Sequence, residues 1–171
     1  MNSHVKLIRC TRKLLNELNT EVPASSGEIH VDPVLGEWYC NLLYLDKRRS
    51  LLFTSADTLY TFVVPQILKR DLETFDILFA QNLRKNLEYE GLSVTLIERI
   101  ISIQDVALEK TISRSVLGSM NDYAIQSEYF VTFGGGLKNV DILELNRKLN
   151  SAPMSAIGMK SGIKALLDRV S

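Results

Sequence analysis

EWYCNLLYLDKRRSLLFTSADTLYTFVVP, residues Glu37 to Pro65, is the stretch whose reading decides the fold. It predicts three consecutive strands, at about 37–45, 50–54 and 58–64, because Leu, Tyr, Phe, Val and Thr fill the runs and polar residues separate them. The separators are Asp46-Lys47-Arg48-Arg49 and Ser55-Ala56-Asp57. Connections that short force antiparallel neighbours, so the stretch reads as a meander. Pro65 ends the third run, since proline has no N–H to give a ladder.

Working outward toward the N-terminus, Val5 to Cys10 is an apolar run that predicts a further strand. Thr11 stands where an N-cap belongs, ahead of a helix over Arg12 to Leu18 with Leu14, Leu15 and Leu18 on one side. Residues 19–36 hold two prolines, two glycines and clustered small polar residues, and read as a long surface connection.

On the other side, Leu68, Leu72, Phe75, Phe79, Leu83 and Leu87 recur at helical spacing over 67–89, with Asp71 or Thr74 able to open a second segment. Gly91 stops that run, Ser93 caps a shorter helix with Leu96, Ile97, Ile100 and Ile101, and Val106-Ala107-Leu108 returns as a strand. Ser113 caps a helix from Arg114 to about Val131 whose apolar face is Val116, Leu117, Met120, Ala124 and Val131, ended by Gly134-Gly135-Gly136. Asn139 or Asp141 starts a helix through Leu149, Pro153 interrupts, and Ser161 opens a last helix with Ile163, Leu166, Leu167 and Val170. The expected architecture is α+β: an antiparallel sheet of about four strands, the 37–64 meander plus the N-terminal strand, covered by helices from the C-terminal half.

With 171 residues, a single globular domain over 1–171 is expected. Hydrophobic residues make up 46% and charged residues 23%, which excludes extended disorder. Twenty basic residues balance twenty acidic ones, so no global field draws the chain to nucleic acid or an anionic membrane. Any such contact must be local. Locally, Lys6, Arg9, Arg12 and Lys13 face one acid, Glu17, within 1–20, whereas 21–46 hold five acids and no Lys or Arg. No apolar run reaches the roughly 18 residues of a membrane span, and the start MNSHVKLIRC lacks a signal-peptide pattern. A cytoplasmic chain without membrane contact is expected, with Cys10 and Cys40 as reduced, buried thiols.

The helix opening at Ser113 is the first candidate site. Ser115, Gly118, Ser119 and Asp122 share one face at i+3 and i+4 steps, and Arg114 beside the helix start suits an anion. The bland alternative is that the small residues only let helices pack closely. Asn121, next to the apolar face, would need partners if buried. The second candidate is the cationic turn Lys47-Arg48-Arg49, which could contact phosphate, with Trp38, Tyr39 and Tyr44 near enough to offer stacking surface. Its alternative is a solubilising turn over sheet-packing aromatics.

No metal is expected, because the two histidines, His4 and His30, belong to no ligand-spaced cluster. Gly118-Ser119 lacks the second glycine of a nucleophile elbow. Gly158-Met159-Lys160-Ser161 lacks the glycines of a phosphate-binding loop. No cofactor is indicated.

Cys10-Thr11 with Lys13-Leu14-Leu15, Trp38-Tyr39 with Asn41-Leu42-Leu43, Leu51-Leu52-Phe53-Thr54, and Arg114-Ser115-Val116-Leu117-Gly118-Ser119-Met120-Asn121-Asp122 form an ordered set. Asp141-Ile142-Leu143-Glu144-Leu145-Asn146 and Pro153-Met154 follow it. In these motifs the chain resembles a family of small uncharacterised bacterial proteins, a domain of unknown function, over nearly its whole length. Cys40 stands where a smaller residue is expected. The resemblance implies no reaction, cofactor or partner; it implies that Arg114, Ser119, Asn121, Asp122, Trp38, Asn41 and Thr54 are the positions to test first.

Three functions are therefore expected in order. The first is a non-enzymatic protein-interaction or regulatory module with a protein partner, using the sheet surface and the Arg114 helix. The second is nucleic-acid or nucleotide phosphate binding through Lys47, Arg48 and Arg49 with Arg114. The third is a hydrolase or transferase using Asp122 or Asp57, for which no base and nucleophile pair is visible.

Overall fold

The computed structural model describes residues 4–19, 30–102 and 105–171. Most of the long connection expected over 19–36, residues 20–29, lies outside the described residues.

The meander forms as its sequence dictates: β2 (Trp38–Leu45), β3 (Arg48–Ser55) and β4 (Thr61–Val64) pair antiparallel. The first turn is tighter than expected. Asp46 and Lys47 alone make it, both at positive φ (49° and 60°), so Arg48 and Arg49 belong to β3, opposite Leu45 and Tyr44. Two left-handed residues match the twist of the flanking strands, which is what a two-residue hairpin requires. The third strand is shorter than 58–64, because Thr58 to Tyr60 are taken up in the loop that brings Leu59 N–H back to the Ser55 carbonyl.

The sheet is mixed and has five strands, which corrects the expectation of about four antiparallel ones. Its order is β4-β3-β2-β1-β5, with β1 (Lys6–Cys10) parallel both to β2 and to β5 (Val106–Lys110). The chain between β1 and β2 contains α1 (Arg12–Leu18), and that between β4 and β5 contains α2 (Phe75–Tyr89) and α3 (Val94–Ile101). Connections that long allow a crossover, which parallel pairing needs.

Thr11 caps α1, Ser93 caps α3, Ser113 caps α4 (Arg114–Phe133), Asp141 caps α5 (Ile142–Ser151) and Ser161 caps α6 (Gly162–Val170), each accepting from backbone N–H groups of the first turn. A 3-10 turn over Lys69–Thr74 precedes α2. Strand alternation sends Ile8, Cys10, Trp38, Cys40, Leu42, Leu51, Phe53 and Phe62 to one face, where α1, α2, α3 and α6 cover them. Trp38, Phe53, Phe62, Phe75 and Phe79 form an aromatic cluster with ring centroids 5.0–6.0 Å apart. The other face sends Tyr39, Leu43, Leu45, Leu52 and Val63 against α4 and α5. Helices therefore cover both faces, and the N-terminal α1 shares that work with helices from the second half.

Edge strand β4 has its open side closed by side chains. The N–H groups of Thr61 and Val63 donate to Oδ1 of Asn150 and Asn146 at 2.8 Å each, and the Nδ2 groups return to the carbonyls of Thr61 (2.7 Å) and Val63 (3.3 Å). Two asparagines four residues apart on α5 thus mimic a neighbouring strand and remove an aggregation-prone edge. Gly162 at the start of α6 makes room for them, since a Cβ there would meet Asn150 Oδ1 at 2.9 Å. Among the described residues no helix is long and apolar enough to cross a membrane.

Candidate functional site

Helix α4 is fastened at both ends and leaves its outer face open. At its start, the Tyr39 hydroxyl accepts from the N–H groups of Ser113 (3.0 Å) and Ile112 (3.4 Å). In the middle, Tyr123 donates to the Leu59 carbonyl at 2.9 Å. Beyond its end, Leu137 N–H donates to Asp46 in the β2–β3 turn at 3.1 Å. A helix of 20 residues spans about 30 Å, so the start and the end of α4 lie at opposite ends of the sheet.

That length separates the two groups of expected phosphate contacts. Arg114 sits at one end of α4, and Lys47, Arg48 and Arg49 lie by the turn at the other, so the helix start and the hairpin do not form one site.

Arg114, Ser115, Asn121 and Asp122 are exposed, and Ser119 is buried at the edge of the same helix. Asn121 faces outward, so it is not the buried amide the sequence allowed for. Gly118 is exposed, and among the described residues nothing would lie within 4 Å of a Cβ at that position. Ser115 and Gly118 are therefore not spent on packing within the described residues, whereas Ser119 is. Ser119 and Asp122 line an open groove of about 400 Å³ with Ile125, Gln126, Met154 and Met159.

Three expected positions lie elsewhere. Trp38 is fully buried in the aromatic cluster, and Thr54 is buried with its hydroxyl 2.9 Å from that of Thr61. Asn41 is half-buried and accepts from the Thr11 hydroxyl at 2.8 Å, tying the start of α1 to β2. With both faces of the sheet under helices, Trp38 and Tyr39 offer no stacking surface; Tyr44 is exposed, with Lys13 4.7 Å above its ring. Asp57 is exposed and paired with Arg169 at 3.2 Å.

The sequence reading overlooked the rest of the α4 face. Ile125, Tyr129 and Phe133 follow Asp122 at i+3, i+4 and i+4 steps, and they are 58%, 57% and 75% exposed. Tyr129 and Phe133 touch, with ring centroids 4.4 Å apart. A second groove of about 340 Å³ runs beside them, lined by Phe130, Phe133, Val140, Leu145 and Lys148. The signal was present in the spacing: a second apolar stripe on the side opposite Val116, Met120, Ala124 and Val131.

The basic hairpin also lines a groove, of about 610 Å³, together with Gln66, Ile67, Leu68 and Lys69. Lys69 and Gln66 were not expected there, because they become neighbours of Arg48 only after β4 has folded back along β3.

No curated protein and no solved structure matches the chain. The family model described as Domain of unknown function (DUF6933) matches residues 7–165. Since that match spans nearly all of the fold just described, from β1 into α6, the chain belongs to this family of domains of unknown function.

Proposed function

We propose that the chain is a non-enzymatic protein-interaction module that docks through the outer face of α4, and that the partner is a second copy of itself. One observation carries this reading: the face exposes Ile125, Tyr129 and Phe133 in a single stripe. Contiguous large apolar side chains on a surface mark contact sites, whereas scattered ones do not.

The stripe also fits its own other half. Its first half is small and charged, with Arg114, Ser115, Gly118 and Asp122; its second half is large, with Ile125, Tyr129 and Phe133. A copy laid antiparallel across it brings Tyr129 over Gly118, Phe133 beside Arg114 and Ile125 beside Asp122, and two-fold symmetry repeats each contact. Gly118 supplies the notch that a ring needs, and Arg114 over a phenyl face gains a cation–π contact.

The test is sedimentation equilibrium on the full chain and on Gly118→Leu, Tyr129→Asp and Arg114→Ala. The wild type is expected to dimerise, Gly118→Leu and Tyr129→Asp to be monomeric, and Arg114→Ala to be a weakened dimer. Replacing a mid-helix glycine also raises helix stability by about 0.5–1 kcal/mol, so Gly118→Leu should melt no lower than the wild-type monomer while losing the dimer. A wild-type monomer at all concentrations, or a dimer indifferent to Gly118→Leu and Tyr129→Asp, overturns the proposal.

A further inference from the structure

The corner of the sheet beyond β4 is built differently from the rest of the surface. β3 starts at Arg48, whereas its pairing with β4 starts only at Leu51, opposite Val64. Pro65 ends the ladder, Gln66 turns at φ 57°, and Ile67 N–H then donates to the Arg49 carbonyl at 2.7 Å. Regular pairing would bring Gln66 to Arg49; the extra residue makes a bulge, which re-aims side chains at a sheet rim. The groove of about 610 Å³ opens at this bulge.

Among the described residues its lining carries four cations, Lys47, Arg48, Arg49 and Lys69, and no carboxylate. Asp46, Asp71 and Glu17 are engaged elsewhere or with one cation only. Asp46 accepts from Leu137 N–H, Asp71 accepts from Leu68 N–H at 2.7 Å, and Glu17 pairs with Arg49 at 3.4 Å. Lys47, Arg48 and Lys69 have no carboxylate partner among the described residues. Ile67 and Leu68 supply an apolar side to the groove, and Leu68 is half exposed.

We infer that this groove binds a small polyphosphate ligand of the nucleoside di- or triphosphate class, a site separate from the α4 face. Arg48 can present a planar pair of N–H groups to phosphate oxygens, and Lys47 and Lys69 add point charges on either side, while Arg49, turned to the other face of β3 and paired with Glu17, borders the groove. The groove volume falls within the range of small-molecule sites, about 300–1,000 Å³. Ile67 and Leu68 are placed to meet the apolar part of such a ligand. A nucleic-acid backbone fits less well, because the chain has no net charge and the cations form one short cluster rather than a track.

The experiment is calorimetric titration of the full chain with inorganic tripolyphosphate, a nucleoside triphosphate, and a single-stranded oligonucleotide of about 12 nucleotides, at about 50 mM salt. Saturable binding of both polyphosphates is expected, with the nucleoside triphosphate at least as tight as tripolyphosphate. Arg48→Ala and Lys69→Ala are surface changes, and each should weaken binding about tenfold, as loss of a charge-assisted contact does. Absence of saturable binding by the wild type at millimolar ligand overturns the inference, as does binding unchanged in the double variant. An oligonucleotide that binds more tightly than either polyphosphate also overturns it, in favour of a nucleic-acid partner.

Discussion

Asn150→Leu should be among the most damaging single changes in this protein. The side chain accepts from Thr61 N–H at 2.8 Å and donates to the Thr61 carbonyl at 2.7 Å and to the Asn146 carbonyl at 3.0 Å, all in a site closed to solvent. Leucine keeps the branched shape but makes none of these bonds, so one buried N–H and one buried carbonyl of β4 lose their partners. Each orphaned group costs about 1–3 kcal/mol, which puts the loss at roughly 2–6 kcal/mol. For a domain of this size that corresponds to a fall in Tm of roughly 2–4 °C per kcal/mol. Urea unfolding followed by circular dichroism would read the shift in midpoint, with the slope checked for constancy. Asn150→Asp separates hydrogen bonding from packing: it keeps the acceptor for Thr61 N–H, loses both donor contacts and buries a charge. It should be no better than leucine. A loss below about 1 kcal/mol for Asn150→Leu would refute the view that α5 closes the β4 edge, since that is less than one unsatisfied buried backbone group costs.

Other changes test the remaining buried polar groups. Lys6 donates to Asp32 and, at 2.8 Å, to the Ile100 carbonyl, with both side chains closed off from solvent; burial pushes the Lys6 pKa down and Asp32 opposes that shift. Asp32→Ala leaves the ammonium buried without its counter-charge and should cost about 3–5 kcal/mol, whereas removing both charges in Lys6→Met/Asp32→Asn should recover much of the loss. Equal stability of the single and double variants in urea would contradict this. Glu90, at the end of α2, has its pKa raised by burial, with Arg147 opposing, and its Oε1 has no hydrogen-bond partner among the described residues. A carboxyl whose folded pKa lies above its unfolded one favours the folded state below the unfolded value, about 4.3, and loses that contribution as pH rises through the folded value. Glu90→Gln should therefore stabilise the protein at pH 7, and its advantage over wild type should shrink as pH falls toward about 4; a difference independent of pH would contradict the assignment.

Most of the elements were legible in the chain, because their signals are local. Thr11, Ser93, Ser113, Asp141 and Ser161 cap helices where their side chains can reach back to the first turn, a relation confined to three or four residues. The meander was legible for the same reason: short turns leave neighbouring strands no arrangement but antiparallel pairing. The family resemblance named the right kind of domain and, like the composition, carried no reaction with it.

What the sequence left open depended on distant partners. Val106 to Leu108 reads as a strand, but its parallel pairing with β1, nearly a hundred residues earlier, depends on which edge the helices leave free. The same alternation that makes Trp38 and Thr54 look available in a strand buries them once α2 and α4 cover opposite faces. Gly118 and Ser119 are neighbours in sequence, yet one is open to solvent and the other closed, since only the packing of α4 on β2 and β3 decides which side of the helix faces in. Lys69 joins Arg48 and Arg49 around one groove because Pro65 ends β4 and Ile67 bonds back to β3. Local propensity and spacing thus determined the elements themselves, while strand order, the open face of α4 and the gathering of cations at the sheet corner came only from how those elements pack.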